Sequence, residues 1–572
     1  MARIYTNPTL PNLEVPPLDL LSLLFDSELS LSQADTVLHV DAANPRLTSY
    51  SLAENKVTKA QLKDLIERIA HGLRTNYGIG CCGSGKDVVT FISYGQILLP
   101  AAGFGVIAAG GVCSFASPSS TVAELARQIS LGKSNFVICG SEHVDVVTKA
   151  AAEINLPKRN ILVLDSSPWR LKSLDGQVDA ISSQCLPWKR ITDPKELKES
   201  LILILWSSGT TGLPKGVMLS HQNFVAETFI VSVLGRKWVE KQIEDGTFTP
   251  VEYKTLAHLP TSHIAGLFGY FVGPTYAGGT VFWMRKYNWQ DLLKYAKQYK
   301  ITVFYTVPSI YLRISKSPEV TDQFSNLAGA ATGAAPMDGQ LQKTANQKLG
   351  EGKEQMLGQT WGLSETTGAV TAVPAGESDD TGSIGSILPT VQLRVVDEDF
   401  NDVEPGNEGE LVLRSPVVTN GYFNNPEATK AAFHDGWFLT GDIGVLRGGK
   451  FFVVDRKKEL LKYKGLQVAP AEIEGLLLEH PAIKEAAVIG LPDPSAGDLP
   501  RAYVVPVENA KVTADEIKRY VASKLAAHKQ LRGGVICKSH EFIDEIPKSA
   551  IGKILRRELR ERAKKEVQLS KL

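Results

Sequence analysis

The stretch SSGTTGLPKGV at 207–217 carries the residue types that hold a phosphate. Ser207, Ser208, Thr210 and Thr211 offer hydroxyl donors, Gly209 and Gly212 let backbone N–H groups approach an anion closely, and Lys215 adds a fixed positive charge. The apolar run LILILW before the loop suits a buried strand. Pro214 stiffens the turn, and SHQNFVAETF starts a helix with Ser220 as N-cap. The same composition fits an ordinary Ser/Thr/Gly-rich surface loop, so the loop alone does not decide the chemistry.

The elements that must position this loop are of α/β type. TKAQLKDLIERIAHGLRTNYG reads as a helix capped by Thr58 and stopped by Gly78, while DVVTFI, GVCSFA and FVICG read as strands. The uncharged run at 97–116 has about the length of a membrane span, but its Gly and Ala content and the strand pattern before it favour strand, buried helix, strand. GCCGSGK at 80–86 has the spacing of a nucleoside-triphosphate P-loop. There Asp87 replaces the hydroxyl that would hold magnesium, and a strand follows where a helix N-terminus is required, so this motif is set aside.

Further along, TLAHLPTSHIAGLFGYFVGPTYAGGTVFWM reads as strand, loop, buried helix and strand, TVFYTVPSI as one more strand, and GAATGAAP as a turn open to a ligand. Short β-like runs punctuated by Gly, Pro and Asn from about 382 to 446 predict a smaller β subdomain. Charges gathered beside a glycine turn at 453–481 predict a joint between rigid bodies, and the remainder is long enough for a compact domain. The expected fold class is α/β: a large N-terminal domain of layered α/β subdomains plus a β subdomain (1–454), a hinge region (455–465), a small mobile C-terminal α+β domain (466–565) and a tail (566–572).

At 572 residues with 43% hydrophobic content the chain exceeds one hydrophobic core. Its formal net charge of zero argues against nucleic acid or an anionic membrane as main partner. Six cysteines without CxxC spacing or a histidine cluster argue against a zinc site or a disulfide framework and fit a reducing compartment. The N-terminal residues carry prolines and an acid where a secretory signal needs an apolar run, and no membrane span is expected. Ser570, Lys571 and Leu572 spell a peroxisomal address, so peroxisomal location through the import receptor is the expectation.

SSGTTGLPKGV is followed in order by LPTSH, GAAP, WGLSE, WFLTGD, DRKKELLKYKGLQVAPAEIE and PKSAIGK. Together these motifs, spanning about 50 to 560, resemble the adenylate-forming superfamily of acyl- and aryl-CoA synthetases, most closely its 4-coumarate-CoA ligase and firefly-luciferase-like branch. The resemblance implies that a carboxylic acid attacks the α-phosphate of ATP, giving acyl-adenylate and pyrophosphate, and that the CoA thiol then displaces AMP.

In such families the Ser/Thr/Gly loop with Lys215 holds the β- and γ-phosphates. Carried over, Gly333, Ala334, Ala335 and Pro336 line the adenine and acyl sites beside Gly362, with Trp361 stacked near the base. Ser364 contacts the α-phosphate, and Glu365 holds Mg2+. Trp361 and Ser364 stand where the family commonly has Tyr and Thr; both keep the aromatic face and the hydroxyl. Asp442 accepts from the ribose hydroxyls with Arg456 nearby, Lys553 bridges α-phosphate and carboxylate, and His263 lies beside the acyl pocket as a positioning group. For the second step the family rotates its C-terminal domain about a hinge matched by Lys458, bringing Lys462, Gly465 and Gln467 to the adenylate and the pantetheine arm. Luciferase-like oxygenation and a non-catalytic adenylate-binding protein are the competing readings; the latter would be expected to have lost Lys553 or Glu365, and both are present.

Overall fold

The computed structural model describes residues 2–11, 13–43, 56–207, 214–350, 357–464, 466–508, 510, 512–537, 545–549 and 552–569. Ser208, Gly209, Thr210, Thr211, Gly212, Gly465, Ser570, Lys571 and Leu572 lie outside the described residues.

Five sheets organise the described chain. The seven-stranded sheet is parallel through Ile161–Ser166, Phe136–Gly140, Val88–Ile92, Val112–Phe115 and Leu201–Ser207, with an antiparallel strand at each edge. Helix Lys59–Tyr77 leads into this sheet from Lys56–Thr58 of another sheet, and helix Leu99–Ala108 is the crossover from Val88–Ile92 to Val112–Phe115; together they bury Leu62, Ile66, Ile69 and Phe104 in the largest core. Thr58 caps the first of these in a reciprocal capping box with Gln61, and Gly78 ends it in the left-handed region at φ 68°. The second is the buried helix expected within 97–116, and no helix among the described residues is long and apolar enough to cross a membrane.

The GCCGSGK stretch folds as a turn closed by the Asp87 carboxylate, which accepts the Gly80 N–H at 2.7 Å, and it runs straight into Val88–Ile92. Two expectations need correction. The segment read as one strand at 302–310 is strand only over Val303–Thr306; Pro308 takes the first helical position of Pro308–Lys316, where its missing N–H and fixed φ cost nothing. Lys215 likewise opens a strand, Lys215–Ser220, that pairs antiparallel with Leu201–Ser207. The phosphate-loop sequence therefore joins an edge hairpin. The helix, His221–Glu244, begins only after Ser220, which caps it against Asn223.

A second mixed sheet runs Val303–Thr306, Gly329–Thr332, Leu357–Leu363, Gly368–Ala372 and Ser386–Ile387, and it carries the GAAP and WGLSE sequences at its strand ends. An antiparallel sheet of Gln392–Val396, Glu408–Arg414, Phe433–His434, Trp437–Arg447 and Lys450–Arg456 follows. Beyond Arg456 the chain builds separate cores on the hairpin Ile483–Asp493 with Gly497–Pro506, covered by Pro470–Glu479, Ala514–Lys524 and Arg556–Leu569.

Candidate active site

Lys553 is presented by a tight turn in which Ser549 N–H donates to the Lys553 carbonyl at 2.8 Å and Gly552 N–H to Ser549 at 2.8 Å. Gly552 has φ 77°, and a Cβ there would lie 2.5 Å from Ser309 Oγ, so both conformation and close approach demand glycine. Ser309 belongs to the helix Pro308–Lys316, so the Lys553 turn is seated against the N-terminal part of the chain. Burial, reinforced by the Arg456 charge and partly offset by Glu459 and Asp442, pulls the Lys553 ammonium down to about 8. His263 is held near 4 by burial and then by the charges of Lys553 and Arg456, so it is a neutral imidazole at physiological pH.

Asp442 sits in the middle of Trp437–Arg447, opposite Arg456 in the neighbouring strand. It is 4% exposed. Trp361 donates its indole N–H to Asp442 Oδ2 at 2.8 Å. Arg456 Nε lies 3.2 Å from Oδ1 as an ion pair, but Oδ1 has no hydrogen-bond partner among the described residues. A buried carboxylate oxygen without a hydrogen bond is costly unless a ligand donor meets it, and a ribose diol supplies such donors. Trp361, expected to stack near the base, is itself buried in a core with Ala226, Ile230 and Val370, and its visible task is to orient Asp442.

Glu365 lies in the middle of the short turn Ser364–Thr366 after Leu357–Leu363 and is also buried. Tyr422 donates its hydroxyl to Glu365 Oε1 at 3.0 Å, and the Lys215 ammonium lies 5.0 Å from the centre of the Tyr422 ring. Burial beside Glu365 pushes the Tyr422 phenol well up, which keeps it a donor. Tyr422 carries no motif of its own, so only the fold reveals that it links Lys215 to Glu365. Gly362 packs against Gly368, where a Cβ would meet the carbonyl, and Ser364 stands between Gly362 and Glu365. Gly333 is equally confined: a Cβ would lie 3.0 Å from Tyr305 Oη and 3.1 Å from the Thr360 carbonyl. Ala334 follows at φ 71°, and Ala334 and Ala335 are exposed on the turn.

Lys553, Arg456, Asp442, Trp361 and His263 are thus brought together by electrostatic or direct contact. Lys462 and Gln467 are not. They pair across the hairpin Leu461–Tyr463 with Leu466–Val468 and point their side chains to solvent, beside a Leu466 that is 52% exposed.

A model of the AMP-binding enzyme family matches residues 38–423, and the model of the AMP-binding enzyme C-terminal domain matches residues 472–553. The chain belongs to the AMP-binding enzyme family. It is 47% identical over 557 residues to an Emericella nidulans protein assigned as an acyl-coenzyme A synthetase, covering 96% of this chain and 97% of that one. It is 32% identical to a phenylacetyl-CoA ligase of Aspergillus niger, with 96% and 98% covered. ATP-bound MatB from Rhodopseudomonas palustris superposes with a TM-score of 0.79 at 26% identity, over 95% of this chain and 98% of that chain. The expected fold class, with its large N-terminal region of mixed α/β sheets and small C-terminal region, is that of AMP-binding enzymes. The chain is an AMP-forming acid–thiol ligase that uses ATP and CoA and passes through an adenylate.

Lys316, the last residue of Pro308–Lys316, donates to the carbonyls of Leu478 at 2.9 Å and Ile483 at 2.7 Å. A cation at a helix C-terminus meets both free carbonyls and the dipole. Lys316→Met is expected to slow adenylate formation about 3- to 10-fold through loss of one to two such bonds. Thioester formation from supplied adenylate should not slow; equal slowing of both half-reactions, each measured alone, would show that Lys316 does not favour one seating.

Proposed function

We propose that this ligase activates a hydrophobic or aromatic carboxylic acid, with Lys553 and the nucleotide pocket serving the first half-reaction and the Lys462 hairpin the second. The observation that carries the reading is the seating of Lys553 within the charge field of Arg456, Glu459 and Asp442, close enough to act on His263, while Lys462 and Gln467 stay in solvent. Only a cation can draw the α-phosphate and the attacking carboxylate together, and Lys553 is a buried cation there that, unlike Arg456 and Arg556, is engaged by no carboxylate ion pair among the described residues. The acid oxygen bonds to the α-phosphorus as pyrophosphate leaves; the CoA sulfur then bonds to the acyl carbon as AMP leaves with the bridging oxygen.

In this reading Lys215 holds the leaving phosphates with the 207–212 loop, Ser364 contacts the α-phosphate, and Asp442 holds the ribose. Glu365 is the candidate ligand for Mg2+. A single buried carboxylate with one oxygen engaged by Tyr422 suits an ion that takes its other ligands from phosphates and water, and the ion would neutralise charge on the departing pyrophosphate. The hydrophobic or aromatic acid class is supported by the similarity to a phenylacetyl-CoA ligase. A panel of acids with pyrophosphate release and thioester formation as readouts tests it: turnover confined to short polar acids would contradict the class.

The carboxyl-terminal Ser570, Lys571 and Leu572 support a peroxisomal location through the import receptor. Deleting them from a protein tagged at its N-terminus is expected to leave it in the cytosol, and undiminished peroxisomal import would count against that address.

A further inference from the structure

Glu410 lies in the strand Glu408–Arg414 with its side chain buried and both of its oxygens engaged. Oε1 accepts the Gly441 N–H at 3.0 Å, and Oε2 accepts from the half-exposed Lys457 ammonium at 2.9 Å. The Lys457 N–H in turn donates to the Gly441 carbonyl at 2.8 Å. Glu410, Gly441 and Lys457 therefore close a ring of three hydrogen bonds. An ion pair whose carboxylate is buried and committed through both oxygens holds its geometry far better than an exposed pair, in which both side chains stay free.

The ring sits where the sheet departs from regular pairing. Glu410 faces Ile443 and Val412 faces Leu439, so Leu411 alone stands opposite Thr440, Gly441 and Asp442. Two extra residues bulge out of Trp437–Arg447, and Gly441 takes φ 70° there. A bulge loses ladder hydrogen bonds, and side chains replace them here: Glu410 takes the Gly441 N–H, while the Thr440 hydroxyl donates to the Leu411 carbonyl at 2.6 Å and accepts the Asp442 N–H at 3.0 Å. Gly441 directly precedes Asp442. Lys457 directly follows Arg456, which stands opposite Asp442 in register with its Nε 3.2 Å from Oδ1. One buried carboxylate thus holds the chain neighbour of each member of the pair formed by Asp442 and Arg456.

We infer that Glu410 and Lys457 are positioning residues for the nucleotide: their ion pair fixes the bulge at 440–442, and with it the geometry at which the Asp442 carboxylate meets the ribose hydroxyls. They act through Asp442. Hydrogen bonds weaken steeply with misalignment, so a loosened bulge costs affinity at the ribose and spares the contacts to the phosphates and to the acid. The stem of Lys457 alone does not suffice, because the ring closes only through its charge. Arginine can bring a cation to the same carboxylate, whereas methionine keeps the stem and removes the charge. The inference rests on the ribose role proposed for Asp442 and adds the pair that sets its geometry.

The test titrates the full chain, in the presence of Mg2+, with ATP, 2′-deoxyATP and 3′-deoxyATP, each deoxynucleotide lacking one hydroxyl of the diol. Calorimetry gives the three dissociation constants, and the thermal midpoint is recorded alongside. Wild type is expected to bind ATP about 10- to 100-fold more tightly than at least one deoxynucleotide, the range for one charge-assisted hydrogen bond. Lys457→Met should cut that ratio about 3- to 10-fold, by weakening ATP and leaving the deoxynucleotide within about twofold. Lys457→Arg should restore the ratio to within about twofold of wild type, which a role confined to stability would not produce. Should the methionine variant not fold, Glu410→Gln carries the decision: it keeps the shape and an acceptor for Gly441, turns an amide towards Lys457, and must still lower the ratio. A ratio that neither Lys457→Met nor Glu410→Gln moves, or that Lys457→Met and Lys457→Arg lower equally, would overturn the inference while leaving Asp442 at the ribose. Equal binding of all three nucleotides by wild type would overturn the ribose reading as well.

Discussion

Lys553→Ala is expected to slow adenylate formation by about 10²- to 10⁴-fold, the range seen when a preorganised charge is removed from a developing anionic transition state. Thioester formation from supplied acyl-adenylate and CoA should keep most of its rate, because in that step the account gives Lys553 no partner. The two half-reactions are measured separately, by pyrophosphate release without CoA and by thioester formation without ATP. Lys462→Ala should show the reverse pattern, since its side chain stands in solvent while Lys553 is seated. Losses of equal size in both half-reactions for both variants would defeat the division of labour. The same lysine sets a pH limb. Its ammonium is charged below about 8 and neutral above, so kcat/KM for ATP in the first half-reaction should fall as pH rises through about 8. At saturating ATP the bound phosphates favour the cation, and the limb in kcat should move to higher pH.

Asp442→Ala is expected to raise the KM for ATP by about 30- to 300-fold, equivalent to losing two charge-assisted hydrogen bonds to a diol. The carboxylate is 4% exposed, already oriented by the Trp361 indole, and its Oδ1, ion-paired with Arg456, carries no hydrogen bond among the described residues. Its removal also strands the indole N–H and the Arg456 charge, so the folded state should lose about 1–3 kcal/mol, read as a lower thermal midpoint. The KM for the acid should change little. A KM for ATP within about threefold of wild type would show that Oδ1 of Asp442 does not hold the nucleotide.

The ordered motifs exposed the family because each is a short local pattern whose neighbours in sequence are also neighbours at a strand end. The helix between the Thr58 cap and the Gly78 stop and the apolar strands of the parallel sheet are equally legible. Two local readings failed for physical reasons. VPSI was read as strand continuation because Val and Ile dominate the run, yet Pro308 begins a helix as readily as it ends a strand. Lys215 reads as part of a loop because Gly and Pro precede it and Lys215–Ser220 shows no strand-like alternation: Gly216, Val217, Leu219 and Ser220 are all buried as the segment pairs with Leu201–Ser207.

The residues that sequence did not expose are those whose meaning comes only from distance. Tyr422 meets Glu365 across 57 positions, Lys316 reaches carbonyls 162 and 167 positions away, and Lys457 meets Glu410 across 47. A lone Glu in a short strand gives no signal that it is buried. The hidden cation Arg556 is similar: within a run of basic residues it reads as a solvated charge, whereas it pairs with Glu474 at 2.7 Å and steadies the core that carries Lys553.

In the reaction derived above, the acid attacks the α-phosphorus of ATP and CoA then displaces AMP. Turnover of an acid labelled with 18O in both carboxylate oxygens, with ATP and CoA supplied and the products weighed by mass spectrometry, tests it most directly. One 18O is expected in each AMP, one retained in each thioester, and none in pyrophosphate. Label recovered in inorganic phosphate with formation of ADP, or AMP free of label, would contradict it.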